Sequence, residues 1–401
     1  MNGRAFHLLT WHAAVTAAAV LCEVTYPQAA TATTTPAPVA HVYVQETNGV
    51  DLYYAAPNGA LTLVKGSPFN IGGTWIEAAR ASYLFTFDAN KVHSFAIGSG
   101  GVIGAEVDVI DTRNHTGAAC GGSADMSGTF RGILDHTGQT LTVEVLGYAK
   151  NPEGGVQAVC EAYQSYKVSS AGQFTFVGAY VTSNGCCANN QMTFSGNDKY
   201  AYKVNAAPAI VDFERESSGA LVHFNGTAQA PPPPPNTSGK WAPAIVDADP
   251  TSHAAVLGSF LNSSGGAVSP RKIASYTIGS SGDLTTNNTY AELVTPAVIP
   301  DVMNMSPSGK FLAVGGEANT GGLQIFHFNG AAPITPYSGV IGYAQVEAIH
   351  WDKSNHVYAL DVLNRLSIYT VTSSGITQVP GSPYKLAGGA GGAGLLVIPT
   401  I

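Results

Sequence analysis

The 401-residue chain is predicted to be almost entirely β and to close on itself as a seven-bladed propeller of four-stranded antiparallel blades. Three observations predict this. Short alternating or β-branched runs bounded by Gly, Asn, Asp and Ser recur along the whole length, and hardly any stretch keeps an apolar face at helical spacing beyond two turns. A block of strand, polar turn, strand, loop, strand, turn and strand returns at roughly the fifty-residue spacing of a propeller blade. The two ends of the repeating region then supply three strands and one strand, which together make one further blade.

Composition agrees with that architecture. Charged residues are 11% of the chain, and Gly (46) and Pro (23) are abundant, so turns are plentiful and charged helix faces are scarce. With 18 Lys+Arg against 26 Asp+Glu the net charge is -8, and the longest basic run is Arg271-Lys272. A phosphate backbone needs a positive surface, so nucleic-acid binding is excluded. The 45% apolar content is ample for a large core.

Taken in order, residues 1–32 have the layout of a secretory signal: Arg4, an apolar stretch from Leu8 to Cys22, then small residues ending at Ala30-Thr31-Ala32. Cleavage is expected after Ala32, with a retained interfacial anchor or a lipid on Cys22 as the alternatives. Residues 33–40 read as a short extended linker and 41–401 as the propeller domain. No later segment is apolar and long enough to cross a bilayer, so a secreted, periplasmic or cell-surface monomer is expected.

The head of the domain offers strands HVYVQET from His41, VDLYYAA from Val50 and ALTLVKG from Ala60. Six units follow, starting near residues 75, 131, 191, 243, 301 and 347; they are numbered blades 1 to 6. The clearest copies carry the turns DPTS at Asp249, SPSGK at Ser306 and DKSN at Asp352, and weaker ones carry HTGQ at His136 and SGND at Ser195. The tail strand GLLVIPTI from Gly394 joins the three head strands as blade 7. The phrase GSPF at Gly66 recurs as GSPY at Gly381, each just after an outermost strand. Closure of this kind removes the free edges that invite aggregation.

These segments resemble the lactonase-family seven-bladed propellers, which overlap the YVTN-type surface-layer repeats. The resemblance rests on SPSGKFLAV at Ser306, DPTSHAAV at Asp249, LSIYTVTSSGITQVPGSPY at Leu366 and GALTLVKGSPF at Gly59. The YVTN tetrapeptide itself is replaced by LAVG at Leu312 and VYAL at Val357, and residues 110–240 fit the pattern poorly. The resemblance implies a propeller and admits either ring-ester hydrolysis or a binding role.

In a propeller the residues just before each innermost strand converge on the mouth of the central channel. That rule picks out Glu77, Arg131, Gln191, Trp241, Asp301 and Glu347, with His350 one step inside. Glu77, Asp301 and Glu347 are hard oxygen donors suited to calcium if they converge; a hydrated funnel balanced by Arg131 is the alternative. For lactone hydrolysis, Glu347 or His350 would activate water and Arg131 would stabilise the developing oxyanion. A phosphorylated lactone wants several cations, and this mouth offers one Arg. Three functions therefore stand: a binding or surface-interaction module, a hydrolase of lactones or related cyclic esters, and a non-catalytic envelope scaffold.

Other chemistry is weakly signalled. There is no GxSxG elbow, HExxH, P-loop or helix-opening GxGxxG, and AGGAGGAG at Ala387 precedes a strand. His253, His327 and His356 have no partner at metal-ligand spacing and read as structural. Cys120, Cys160, Cys186 and Cys187 remain once Cys22 is removed, an even set that suggests two disulfides. Cys120 and Cys160 are expected to bond to the adjacent pair, with a Cys186–Cys187 bond as the alternative. Pro231 to Pro235 form a stiff spacer or a polyproline ligand. NxS/T triplets at Asn114, Asn225, Asn236, Asn262 and Asn287 fit exposed loops.

Overall fold

The ring is clasped by its own ends. In the computed structural model, Leu395–Pro399 pairs antiparallel with Ala40–Glu46, with Val44 opposite Leu395 and Ala40 opposite Pro399. Thr400 N–H donates to the Val39 carbonyl at 3.0 Å, so the seam is bonded to its end. The structure describes residues 37–400 apart from 74, 80–81, 116–125, 151–155, 183–191, 206–208, 318–320 and 387–393. Residues 1–36, Gln191, residues 387–393 of the AGGAGGAG stretch and three of the four propeller cysteines lie outside the described residues.

Blade 7 has the order Leu395–Pro399, Ala40–Glu46, Gly49–Ala55, Leu61–Leu63 from axis to rim. The other blades have the same up-and-down order. Blade 1 is Trp75–Ala79, Tyr83–Phe87, Lys91–Ile97 and Ile103–Asp111, and blade 2 is Met126–Leu134, Thr140–Lys150, Val156–Val168 and Phe174–Thr182. Blade 3 is Thr193–Phe194, Tyr200–Val204, Ile210–Arg215 and Leu221–His223, and blade 4 is Lys240–Ala248, His253–Leu261, Lys272–Ile278 and Leu284–Thr285. Blade 5 is Pro300–Met305, Phe311–Gly316, Gly322–His327 and Thr335–Pro336. Blade 6 is Val346–Trp351, His356–Asp361, Arg365–Thr372 and Gly375–Gln378, with Tyr384–Lys385 added against its third strand.

Side chains alternate across each strand, so every blade presents one apolar face to the blade before it and one to the blade after it. Phe311 and Ala313 pack toward blade 6, whereas Leu312 and Val314 pack toward blade 4. Tyr358 and Leu360 pack on blade 7, whereas Val357 and Ala359 pack on blade 5. Among the described residues the buried apolar side chains form seven clusters, one per interface between neighbouring blades. A sheet buried on both faces explains why the second strands are nearly continuous apolar runs.

The repeated polar turns have a local cause. Asp249 Oδ1 accepts the backbone N–H groups of Thr251 and His253, each at 2.9 Å, and Asp352 Oδ1 accepts those of Ser354 (2.8 Å) and His356 (2.9 Å). Ser306 Oγ accepts Phe311 N–H at 3.0 Å and Ser195 Oγ accepts Tyr200 N–H at 3.0 Å. A short polar side chain that bonds its own turn is the physical content of the motif. GSPF and GSPY also act alike: Ser67 Oγ accepts Leu52 N–H (3.1 Å) and Ser382 Oγ accepts Ile368 N–H (2.8 Å), each from the third strand of its blade.

Candidate functional site

The innermost strands of four blades each carry one extra residue, mid-strand in blades 2 and 4 and at the second position in blades 5 and 6. Register slips between Thr129 and Arg131, Pro243 and Ile245, Pro300 and Val302, and Val346 and Ala348 leave Phe130, Ala244, Asp301 and Glu347 without a ladder partner. A β-bulge re-aims the skipped residue and is common beside functional sites. In blades 5 and 6 the skipped residue is a carboxylate, and both Asp301 and Glu347 are exposed.

Asp301 Oδ2 accepts a hydrogen bond from Gln345 Nε2 at 3.1 Å. Glu347 is held above the ordinary carboxylate range, first by burial and then by the negative charges of Asp301 and Asp361. Asp361 is itself neutralised by Arg365, whose Nε donates to Asp361 Oδ2 at 2.8 Å. Arg131 is half-buried, sits 5.4 Å from the centre of the Trp75 ring, and interacts electrostatically with Glu144 and Asp301. Burial alone lowers its affinity for the proton, and the two carboxylates oppose that. Asp301 is therefore the shared neighbour at the mouth, interacting electrostatically with Arg131 on one side and Glu347 on the other.

The other mouth residues are placed differently. Trp241 stands three residues before the skipped position of blade 4, which is Ala244. Its half-buried ring packs 5.1 Å from Phe260, against the edge of the cluster between blades 3 and 4. Glu77 lies on a strand without a bulge, opposite Phe85 in the ladder, and is half-buried with interactions of its own. Among the described residues no group of three or more His, Cys, Asp or Glu side chains is arranged to hold a metal ion. Glu77, Asp301 and Glu347 are all described and do not form such a calcium cage. His350 is three residues along the strand from Glu347, about 10 Å deeper at about 3.3 Å per residue. Burial lowers its proton affinity to a pKa of about 4, so it is a neutral imidazole at pH 7.

At the depth of His350 the innermost strands of blades 3, 4 and 5 place Thr193, Asp247 and Asn304. Asp247 accepts hydrogen bonds from Thr193 Oγ1 (2.9 Å), Met305 N–H (2.6 Å) and Ala248 N–H (3.0 Å). Its carboxyl is pushed up to about 6 by burial, against the lowering effect of those bonds. Asp247 thus ties three neighbouring blades together below the mouth.

Behind Arg131 lies a network that the residues before each strand could not show. Lys203 of blade 3 is 0% exposed and forms ion pairs with Glu144 and Glu161 of blade 2. Its ammonium lies 5.2 Å from the centre of the Tyr163 ring. Glu144 is opposite Arg131 in the blade 2 ladder, so the four groups alternate in sign and sum to zero. The signal available in sequence was that a charged innermost residue needs a counter-charge across its own hairpin.

The three histidines are structural. His253 Nδ1 lies 3.3 Å from Asp249 Oδ2, His356 Nδ1 lies 2.6 Å from Asp352 Oδ2, and the His327 ring packs 4.3 Å from that of Tyr337. Cys160 is 3% exposed near the mouth end of the third strand of blade 2 and is not without a partner. No described helix is long and apolar enough to cross a membrane.

No protein-family model matches the chain, and no curated protein matches it in sequence. Solved structures do match. A candidate 6-phosphogluconolactonase from Bacteroides fragilis is similar at TM-score 0.61 and 10% identity, over 90% of this chain and 98% of that one. One from Bacteroides uniformis is similar at TM-score 0.60 and 10% identity, over 89% and 100%. A protein of unknown function from Desulfotomaculum acetoxidans is similar at TM-score 0.57 and 12% identity, over 90% and 99%. At such identities the likeness is one of fold, the seven-bladed propeller.

Proposed function

We propose that the protein is an exported binding module that takes a small polar molecule at the mouth of its channel. The observation that carries this is the exposed pair Asp301 and Glu347 on the bulges of neighbouring blades, with Asp301 interacting electrostatically with both Arg131 and Glu347. Arg131 suits a carbonyl or carboxylate, and the two carboxylates suit hydroxyl or amine groups on the same molecule. The layout of residues 1–32 supports export, and the engaged, buried Cys160 supports disulfides to cysteines in the neighbouring loops. Thermal-shift screening against hydroxy acids, amino acids and sugar acids tests the reading. A shift seen with the wild type and lost in both Glu347→Gln and Asp301→Asn is expected; a shift that survives both substitutions would place the ligand elsewhere.

Hydrolysis of an unphosphorylated lactone is the second reading, favoured by the raised proton affinity of Glu347. A carboxylate in that range takes a proton from water more readily than an ordinary one, and Arg131 would meet the developing oxyanion. Turnover of a lactone panel, lost in Glu347→Gln, would put catalysis ahead of binding. Failure of both assays would leave a scaffold of the envelope.

A further inference from the structure

The mouth lies at the face where each innermost strand begins. The opposite face carries the turns between first and second strands and between third and fourth strands. There, a groove of 590 Å³ opens between blades 1, 2 and 3, within the roughly 300–1,000 Å³ of small-ligand sites. Its walls come from the turns near Ser82, Gly138, Ser169 and Ser217.

The chemistry of this groove differs from that of the molecule as a whole. In a chain of net charge -8 its lining holds Lys167 and Arg215 and no carboxylate. Lys167 is exposed and has no ion-pair partner among the described residues. Arg215 is anchored from below by Asp135 and Thr140, and its buried Nε–H has no hydrogen-bond partner. Glu216 stands at the rim, where it accepts Ser218 Oγ at 3.3 Å. Hydroxyls dominate the remaining wall, among them Ser170, Thr175 and Ser217. Tyr83 forms an aromatic side, fixed by its hydroxyl donating to the Ser170 carbonyl at 2.9 Å. Gly172 makes room for that ring, because a Cβ there would come within 2.4 Å of it.

From this we propose a second ligand site, which takes an acidic saccharide chain, one that carries carboxylates on a sugar backbone. Lys167, the one cation of the lining that no described carboxylate offsets, stands among hydroxyls and matches sparse negative charge on a hydroxyl-rich ligand, with the outer N–H groups of the Asp135-paired Arg215 as further donors. A densely charged polyanion would need many more cations against the net negative field. An aromatic wall beside polar donors suits a ring with one apolar and several polar edges. The site is independent of the reading of the channel mouth.

Isothermal titration of the full chain with oligogalacturonate at low salt tests it, with neutral dextran, dextran sulfate and single-stranded DNA as comparators. The expected result is binding of oligogalacturonate and none of neutral dextran. Lys167→Glu should weaken it at least tenfold. Lys310→Glu, the same charge change on a turn of blade 5, should leave it unchanged. Equal affinity in Lys167→Glu, binding of neutral dextran as tight as that of oligogalacturonate, or binding of only dextran sulfate or DNA would overturn the proposal.

Discussion

Replacing Lys203 by Met tests the account of the blade 2–blade 3 interface. The ammonium is wholly buried between Glu144, whose side chain is 9% exposed, and Glu161, 2% exposed. With both carboxyls ionised, removing it takes the cluster of Lys203, Arg131, Glu144 and Glu161 from neutral to one net negative charge. Breaking a buried ion pair by deleting one partner costs about 3–5 kcal/mol. The folded unit Ala37–Ile401 unfolds with an entropy of about 0.8 kcal/mol/K at about 2.1 cal/mol/K per residue. The expected loss in Tm is therefore about 4–6 °C, read by circular dichroism or scanning calorimetry. A second signature separates lost charge from lost packing. Glu144 is already raised by burial, and loss of Lys203 raises it further. A raised carboxyl stabilises the folded state at low pH and loses that contribution as pH rises through its folded value. The deficit of Lys203→Met should be smaller at pH 5 than at pH 8, and Lys203→Met/Glu144→Gln should recover part of it. A variant within 1 °C of the wild type at both pH values would refute the reasoning.

Other perturbations have equally direct outcomes. Asp352→Ala removes the acceptor of two backbone N–H groups, the His356 ring and the Tyr358 hydroxyl, and should cost about 3 kcal/mol in chemical denaturation, against about 1 kcal/mol for Ser306→Ala. Because Asp247 is raised to about 6, its contribution is present below the usual carboxylate pKa and fades as pH climbs through 6. Asp247→Asn should therefore flatten the stability profile of the wild type between pH 4 and 7, by on the order of 2 kcal/mol. Gly132→Ala would drive a Cβ to 2.2 Å from the Phe87 ring and should destabilise by about 1–3 kcal/mol. Deleting residues 395–401 strips the innermost strand from blade 7, and size-exclusion chromatography should then show aggregation through the bared Ala40–Glu46 edge.

Most of the ring was legible in the sequence. Period-2 patterning assigned strands, the Asp and Ser turns marked hairpins, and counting three strands at the head and one at the tail gave the clasp. The mouth was legible at Asp301 and Glu347, which stand on bulges, and at Arg131, which follows one. Asp301 and Glu347 fell at the skipped positions, whereas in blade 4 that position is Ala244 and the half-buried Trp241 packs its ring on Phe260. A bulge adds one residue without changing composition, and an alternation pattern does not register it. Lys203, Glu144 and Glu161 escaped for another reason: they lie on second and third strands of two blades, and their partnership exists only once those blades stack.

The clasp also bears on how the molecule is made. Six blades can form as the chain emerges, but the strand Leu395–Pro399 is the last of the fold to leave the ribosome, and until it does Ala40–Glu46 waits without its inner neighbour. A nascent chain is thus an open arc, and completion of the circle coincides with the end of translation of the fold. Because the two ends meet there, a circular permutant with the break moved to an exposed turn, such as that near Ser308, should keep the same seven interfaces while shifting which blade closes last.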